Sequence, residues 1–166
     1  DVPVANDAEY AMVEDDAAGI VATLSADDVE TDSAELFYTI ESGLFGVRFG
    51  DIVQSAPGSR NFEYHPDANW YGTEQFLFTA TDPEGLVSNY GLVTIVVEEV
   101  NDVPVAHNGF INVRENAPAT PLLLKADDLD LPADALMFHV VTPPQHGQLL
   151  GFVPSTGTVS YKPNVD

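Results

Sequence analysis

The segment Asp1-Val2-Pro3-Val4-Ala5 recurs unchanged as Asp102-Val103-Pro104-Val105-Ala106, 101 residues further on. A chain that repeats itself at that spacing must fold as tandem modules of about 100 residues, because each repeat carries the same pattern of elements. The echo continues. Ala26-Asp27-Asp28 matches Ala126-Asp127-Asp128, Leu36-Phe37-Tyr38 matches Leu136-Met137-Phe138, and Tyr64-His65-Pro66-Asp67 matches Tyr161-Lys162-Pro163-Asn164. The offset drifts only from 101 to 100 to 97, so insertions are confined to loops.

Within a repeat the periodicity is that of strands. Leu36, Tyr38 and Ile40 alternate with more polar neighbours, as do Phe76, Phe78 and Ala80, and Gly, Pro, Asp and Asn clusters separate the runs. Gly91–Val97 reads as a final strand, and Val100–Pro104 as a linker in which Pro104 removes a backbone donor. No segment carries a helical period. About seven strands per ~100 residues predict an all-β chain of immunoglobulin/cadherin-like Greek-key β-sandwich modules in tandem.

The first module is expected over residues 1–100, and the linker and second module over residues 101–166. Asp166 aligns with Asn69, whereas the first repeat runs on to Val100, so the second lacks the counterparts of 31 residues, its last two strands. An open sheet edge beside a bare apolar face is a template for a strand from another chain, and a strand-exchanged homodimer is an expected partner state. No secretory signal peptide precedes the first repeat, which fits a piece cut from a longer chain.

Charge narrows the function. Asp and Glu number 27 against five Lys and Arg, a formal charge of −22, which repels nucleic acid and anionic membranes and favours cations. Cysteine is absent, so neither disulfides nor thiolate metal sites can staple the modules. No apolar run approaches the ~20 residues of a membrane span. No Asn-x-Ser/Thr sequon occurs.

The acidic residues cluster at repeated places. Glu14 follows the first strand; Asp28 and Glu30 follow the second; Asp67 and Asn69 share a turn; Asp82 and Glu84 precede the last strand; Glu99, Asn101 and Asp102 lie at the linker. Glu115, Asp128, Asp130 and Asp134 echo them in the second repeat. Calcium (Ca2+) takes six to eight oxygens from carboxylates, amide carbonyls, backbone and water, and needs no nitrogen or sulfur. Carboxylates crowded at about 4 Å repel by roughly 4 kcal/mol per pair at an effective dielectric near 20, so such clusters call for a cation. Asp and Asn also occupy turns because they cap backbone donors, but that does not require Glu99 and Glu115, both read as strand residues, or an acidic linker.

Several of these clusters resemble cadherin motifs. Glu99-Val100-Asn101-Asp102-Val103-Pro104 resembles the Asp-x-Asn-Asp-x-x-Pro linker, one residue shorter and with Glu99 in the leading acidic place. Glu115-Asn116-Ala117-Pro118 matches Glu-Asn-x-Pro, Asp128-Leu129-Asp130 is similar to Asp-x-Asp with Asp28-Val29-Glu30 as a diluted form, and Ala80-Thr81-Asp82 resembles Ala-x-Asp. Tyr64–Gly72 with the Phe76 to Asp82 alternation resembles bacterial cadherin-like tandem repeats of adhesins and surface proteins, and Leu136–Leu149 resembles the related proteoglycan-type repeats. The resemblance implies an extracellular, secreted or cell-surface adhesion module, with neighbouring repeats of the same chain as partners. Calcium would rigidify each junction, bridging Glu14, Asp67 and the linker to Asp128 and Asp130. Pro66-Asp67-Ala68-Asn69 replaces the family's Leu-Asp-Arg-Glu, so one or two ions per junction are expected rather than three.

His65, His107, His139 and His146 are scattered, His139 alternating as a surface strand position would, and no nucleophile elbow, phosphate loop or His-paired Ser occurs. An enzyme is not expected. The alternative function is carbohydrate binding, by a secreted or cell-surface polysaccharide-binding protein, through exposed Trp70, Tyr71 or Tyr90. Trp70 caps the core in one reading and stacks on a sugar in the other.

Overall fold

A computed structural model describes residues 1–41, 47–130 and 136–165. Two compact units divide the chain, Asp1–Val100 and Asn101–Asp166.

In the first unit the strands are β1 (Val4–Ala5), β2 (Ala8–Val13), β3 (Ile20–Thr23), β4 (Ala26–Asp27), β5 (Phe37–Glu41), β6 (Gly50–Gln54), β7 (Asn61–Pro66), β8 (Gly72–Thr81) and β9 (Gly91–Glu98). One sheet has the order β2-β9-β8-β5 and the other β3-β7-β6, while β1 pairs with β4. Every pairing is antiparallel except β2 with β9, which is parallel. The chain crosses between sheets from β5 to β6 and back from β7 to β8, the wiring of a Greek-key sandwich.

The core is where the two inner faces meet. β9 alternates strictly, with Val93, Ile95 and Val97 buried and the residues between them half-exposed. Phe62 and Tyr64 of β7 face Phe76 and Phe78 of β8, and the Phe62 and Phe76 rings meet edge to face at 5.3 Å. Each such side chain contributes about 1.5–3 kcal/mol when fully buried. Leu24, Tyr38 and Ala80 close the cluster.

The second unit repeats one half of this plan. β10 (Val105–Ala106) pairs with β12 (Ala126–Asp127), and β11 (Thr120–Leu123), β14 (Thr158–Pro163) and β13 (Gly147–Val153) form a three-stranded sheet. The register is the same: Gly50 lies opposite Pro66, and Gly147 opposite Pro163. The Tyr64 hydroxyl donates to the Phe49 carbonyl at 2.8 Å, and the Tyr161 hydroxyl to the His146 carbonyl at 2.9 Å. Residues 107–113 and 136–140, aligned with β2 and β5, form no strand. Their pairing partners in the first unit are β9 and β8, and these 166 residues hold no second copy of either. His139 is therefore exposed outside any strand, contrary to the alternation that placed it on one.

Candidate functional site

The described carboxylates gather in three places, two in the first unit and one in the second. At the end of β2, the Glu14 amide donates to the Glu98 carbonyl at 2.9 Å and its Oε1 accepts the Val100 amide at 2.9 Å, leaving Glu14 only 4% exposed. Asp15 follows in the left-handed region (φ 55), and its Oδ1 accepts the amide of Asn69, also left-handed (φ 55), at 2.9 Å. Asn69 sits in the turn that the Trp70 amide closes on the Asp67 carbonyl, and the Asp67 amide in turn donates to Phe49. Glu14, Asp15, Asp67 and Asn69 thus belong to one end of the unit. Asp15 escaped the sequence reading. The signal was its counterpart Asn116, which takes the same left-handed turn (φ 57) in the second unit.

Asp28, Glu30 and Asp82 surround the chain's first residue. The Asp1 ammonium pairs with Glu30 at 2.6 Å, and that bond, with the charges of Asp28 and Asp82, holds it protonated above its ordinary range. Asp28 Oδ1 accepts the amides of Glu30 (3.0 Å) and Thr31 (2.8 Å), while Oδ2 is buried with no hydrogen-bond partner among the described residues. Burial pushes the Asp28 carboxyl up, but the Thr31 and Glu30 amides, the Thr31 hydroxyl and the Asp1 ammonium outweigh it, so the group lies below the usual carboxylate range. Asp82, 6% exposed, closes its own turn by accepting the Leu86 amide at 2.8 Å, and Glu84 points into solvent.

In the second unit, Asp128 Oδ1 accepts the Asp130 amide at 3.1 Å and Asp130 Oδ2 accepts the Asp102 amide at 2.9 Å. The Asn101 side chain donates to the Asp102 carbonyl. Asp130 is 6% exposed. Burial pushes its carboxyl above the usual range, and the adjacent Asp128 carboxyl and the Asp102 charge push the same way, only partly opposed by the Asp102 amide.

Glu99 and Glu115 are not strand residues. Glu99 lies just past β9 and Glu115 in a turn, and both are exposed; a turn there needs Asn116 to take positive φ, which an extended strand forbids. Asp134 lies outside the described residues. Among the described residues no three or more His, Cys, Asp or Glu side chains converge as a metal-holding group. The donors are all oxygens, which suits a hard cation in kind, but within either unit two carboxylates would need carbonyls and water to complete a shell.

Trp70 is half-buried against the core and stacks on Phe49, ring centroids 4.9 Å apart and 13° from parallel. Tyr71 precedes β8, whose Gly72 lies opposite Val97, whereas Tyr90 precedes Gly91 at the other end of β9. Six residues of strand separate those ends, about 20 Å. Trp70, Tyr71 and Tyr90 therefore do not form one aromatic strip.

Residues 1–96 match the family model described as a bacterial Ig domain. The chain belongs to the bacterial Ig domain family. Among curated relatives of this bacterial Ig chain, extracellular matrix organizing protein FRAS1 of Mus musculus is 28% identical over 141 residues, 77% of this chain and 4% of that protein. Extracellular matrix protein 3 of Lytechinus variegatus is 40% identical over 79 residues, 46% of this chain and 2% of that protein. The chain thus spans a few per cent of the length of these relatives. Among solved structures, human protocadherin-24 EC1-2 superposes with a TM-score of 0.60 at 16% identity, covering 98% of this chain and 80% of that one. Extracellular cadherin domains 3-6 of protocadherin gamma B2 give 0.58 at 15% identity, covering 99% and 39%. At such identities the likeness is one of fold. The protein is an extracellular Ig/cadherin-like domain, and among its described residues no helix is long and apolar enough to cross a membrane.

Proposed function

We propose that this chain is a calcium-binding structural repeat of an extracellular adhesive protein, in which calcium held by the carboxylates near the Val100–Pro104 linker stiffens the array. Its partners are neighbouring repeats. The observation that carries the reading is Asp130: a buried carboxylate beside a second carboxyl, with one amide as its donor. Leaving such a group charged is unfavourable without a cation. The arrangement supports a ligand role because it recurs, Asp1 nitrogen to Glu30 and Asp102 nitrogen to Asp130, with Asp28 and Asp128 capping each loop. Glu14, Asp67 and Asn69 are the proposed ligands within the first unit, and Asn101, Asp102, Asp128 and Asp130 those within the second.

Calorimetric titration with calcium, using magnesium as control, tests this directly. Binding is expected at roughly 10⁻⁴–10⁻³ M, the range of extracellular modules, with a higher melting temperature at several millimolar calcium than in chelator. Asp130→Asn should weaken binding, and Asp102→Ala should give a more bent ensemble by X-ray scattering without unfolding residues 1–100. No heat and an unchanged melting temperature would overturn the proposal.

A further inference from the structure

Residues 107–113 carry no strand, and within them Asn108-Gly109 is exposed. A Cβ built on Gly109 meets nothing within 4 Å, and among the described residues its amide has no hydrogen-bond partner. We infer that Asn108 is a site of spontaneous covalent modification, at which the chain converts with time to aspartate and isoaspartate. The Gly109 amide nitrogen loses its proton and attacks Asn108 Cγ; the new C–N bond closes a five-membered imide, the Cγ–Nδ2 bond breaks, and ammonia leaves. Water then adds to either imide carbonyl. One opening restores the normal main chain with aspartate; the other routes the main chain through the side chain. The step needs a nitrogen that is free, unhindered and able to rotate onto the side chain, and glycine is the residue least restricted in that rotation.

The other asparagines fail one of these conditions. After Asn69, Asn101 and Asn116, the attacking nitrogens of Trp70, Asp102 and Ala117 are already hydrogen-bonded, to Asp67, Asp130 and Arg114. Asn6 is held by Asp27, Asn61 by Thr23, and Asn89 by Ala5 and Tyr90. Asn112 and Asn164 precede β-branched Val113 and Val165, whose side chains crowd the nitrogen.

The position matters because Asn108 aligns with Asp7. In the first unit Asp7 Oδ1 accepts the Leu92 amide at 2.8 Å as β2 begins, and Ala8 is locked opposite Val93. An aspartate at 108 reproduces the acid of the first repeat. An isoaspartate instead adds a methylene to the main chain and shifts the alternation of residues 109–113, so that inward side chains turn outward.

The test is to age the full chain in mildly alkaline buffer at physiological temperature and follow each asparagine by peptide mass spectrometry. A mass gain of about one dalton should appear at Asn108 ahead of every other asparagine, as two products of which isoaspartate is the larger. Gly109→Ala, which the open space accommodates, should bring the rate at 108 down to that of the remaining asparagines, and Asn108→Gln should abolish the product. Modification appearing first at another asparagine, or at an equal rate in Gly109→Ala, would overturn the inference.

Discussion

Asp28 and Asp130 lie in matching loops, Asp28 at the capping place and Asp130 at the place of Glu30, and their carboxyls shift in opposite directions. Asp130 holds its proton more tightly folded than unfolded, so between the ordinary carboxylate value and its raised one the native state carries more protons. Stability of the second unit then falls as pH rises through that window. Asp28 works the other way, contributing stability above the ordinary value that is lost as pH falls through its depressed one. In chelator, melting of Asp130→Asn should lose the first dependence while keeping the second; an identical pH profile in both proteins would show that Asp130 is not the group concerned. Calcium should flatten the Asp130 dependence by replacing the proton. The two tyrosines offer a second test. Tyr64→Phe and Tyr161→Phe each remove one hydroxyl bond to a carbonyl, at an expected cost of about 1 kcal/mol in denaturant unfolding. Tyr64 is fully buried whereas Tyr161 is half-buried, so the larger loss belongs to Tyr64. The repeat of Tyr64-His65-Pro66-Asp67 as Tyr161-Lys162-Pro163-Asn164 made this pairing legible, although nothing in the sequence says that a hydroxyl closes it.

At the scale of elements, alternation and punctuation revealed which segments can be strands, and Gly91–Glu98 was legible almost to the residue. Whether a capable segment becomes a strand depends on a neighbour. Leu136–Val140 has the pattern of β5 and forms none, because β5 exists by pairing with β8. Glu115 failed for a related reason: its surroundings look extended, but the left-handed Asn116 turns the chain there. The carboxylate clusters were legible as clusters through their repetition, whereas the link from Asp15 to Asn69 joins residues 54 apart in sequence and follows no local rule. Gly50 shows how tightly an element can depend on one residue. It lies opposite Pro66 at φ 147, and a Cβ there would approach the His65 carbonyl to 2.3 Å. Gly50→Ala should destabilise the first unit by about 1–3 kcal/mol through backbone strain alone, with more from the clash, read as a lower midpoint in urea. A variant within error of wild type would mean that the β6–β7 register can slip.

At the scale of the whole molecule, equivalent positions of the two units have unequal cover. Ala22, Phe62 and Tyr64 are buried on the first unit's inner face, beneath Phe76, Phe78, Val93 and Ile95 of β8 and β9. Their counterparts Leu122 and Tyr161 are half-buried, and of the three only Val159 is buried. Phe110 and Val141 stand 90% and 94% exposed. Apolar burial is what offsets chain entropy, so the second unit opens at lower free energy than the first. Its backbone amides should therefore exchange faster in residues 105–165 than in residues 1–100, on the timescale of local opening. A sheet with an uncovered apolar face and free edges also accepts a strand from another chain. Raising the protein concentration should slow exchange in the second unit and yield a strand-exchanged dimer by light scattering. Segments 107–113 and 136–140, strandless in the single chain, should be the amides that gain most protection. Equal protection in both units of a dilute monomer, or a chain that stays monomeric with unchanged exchange as concentration rises, would show that the three-stranded sheet is closed by other means.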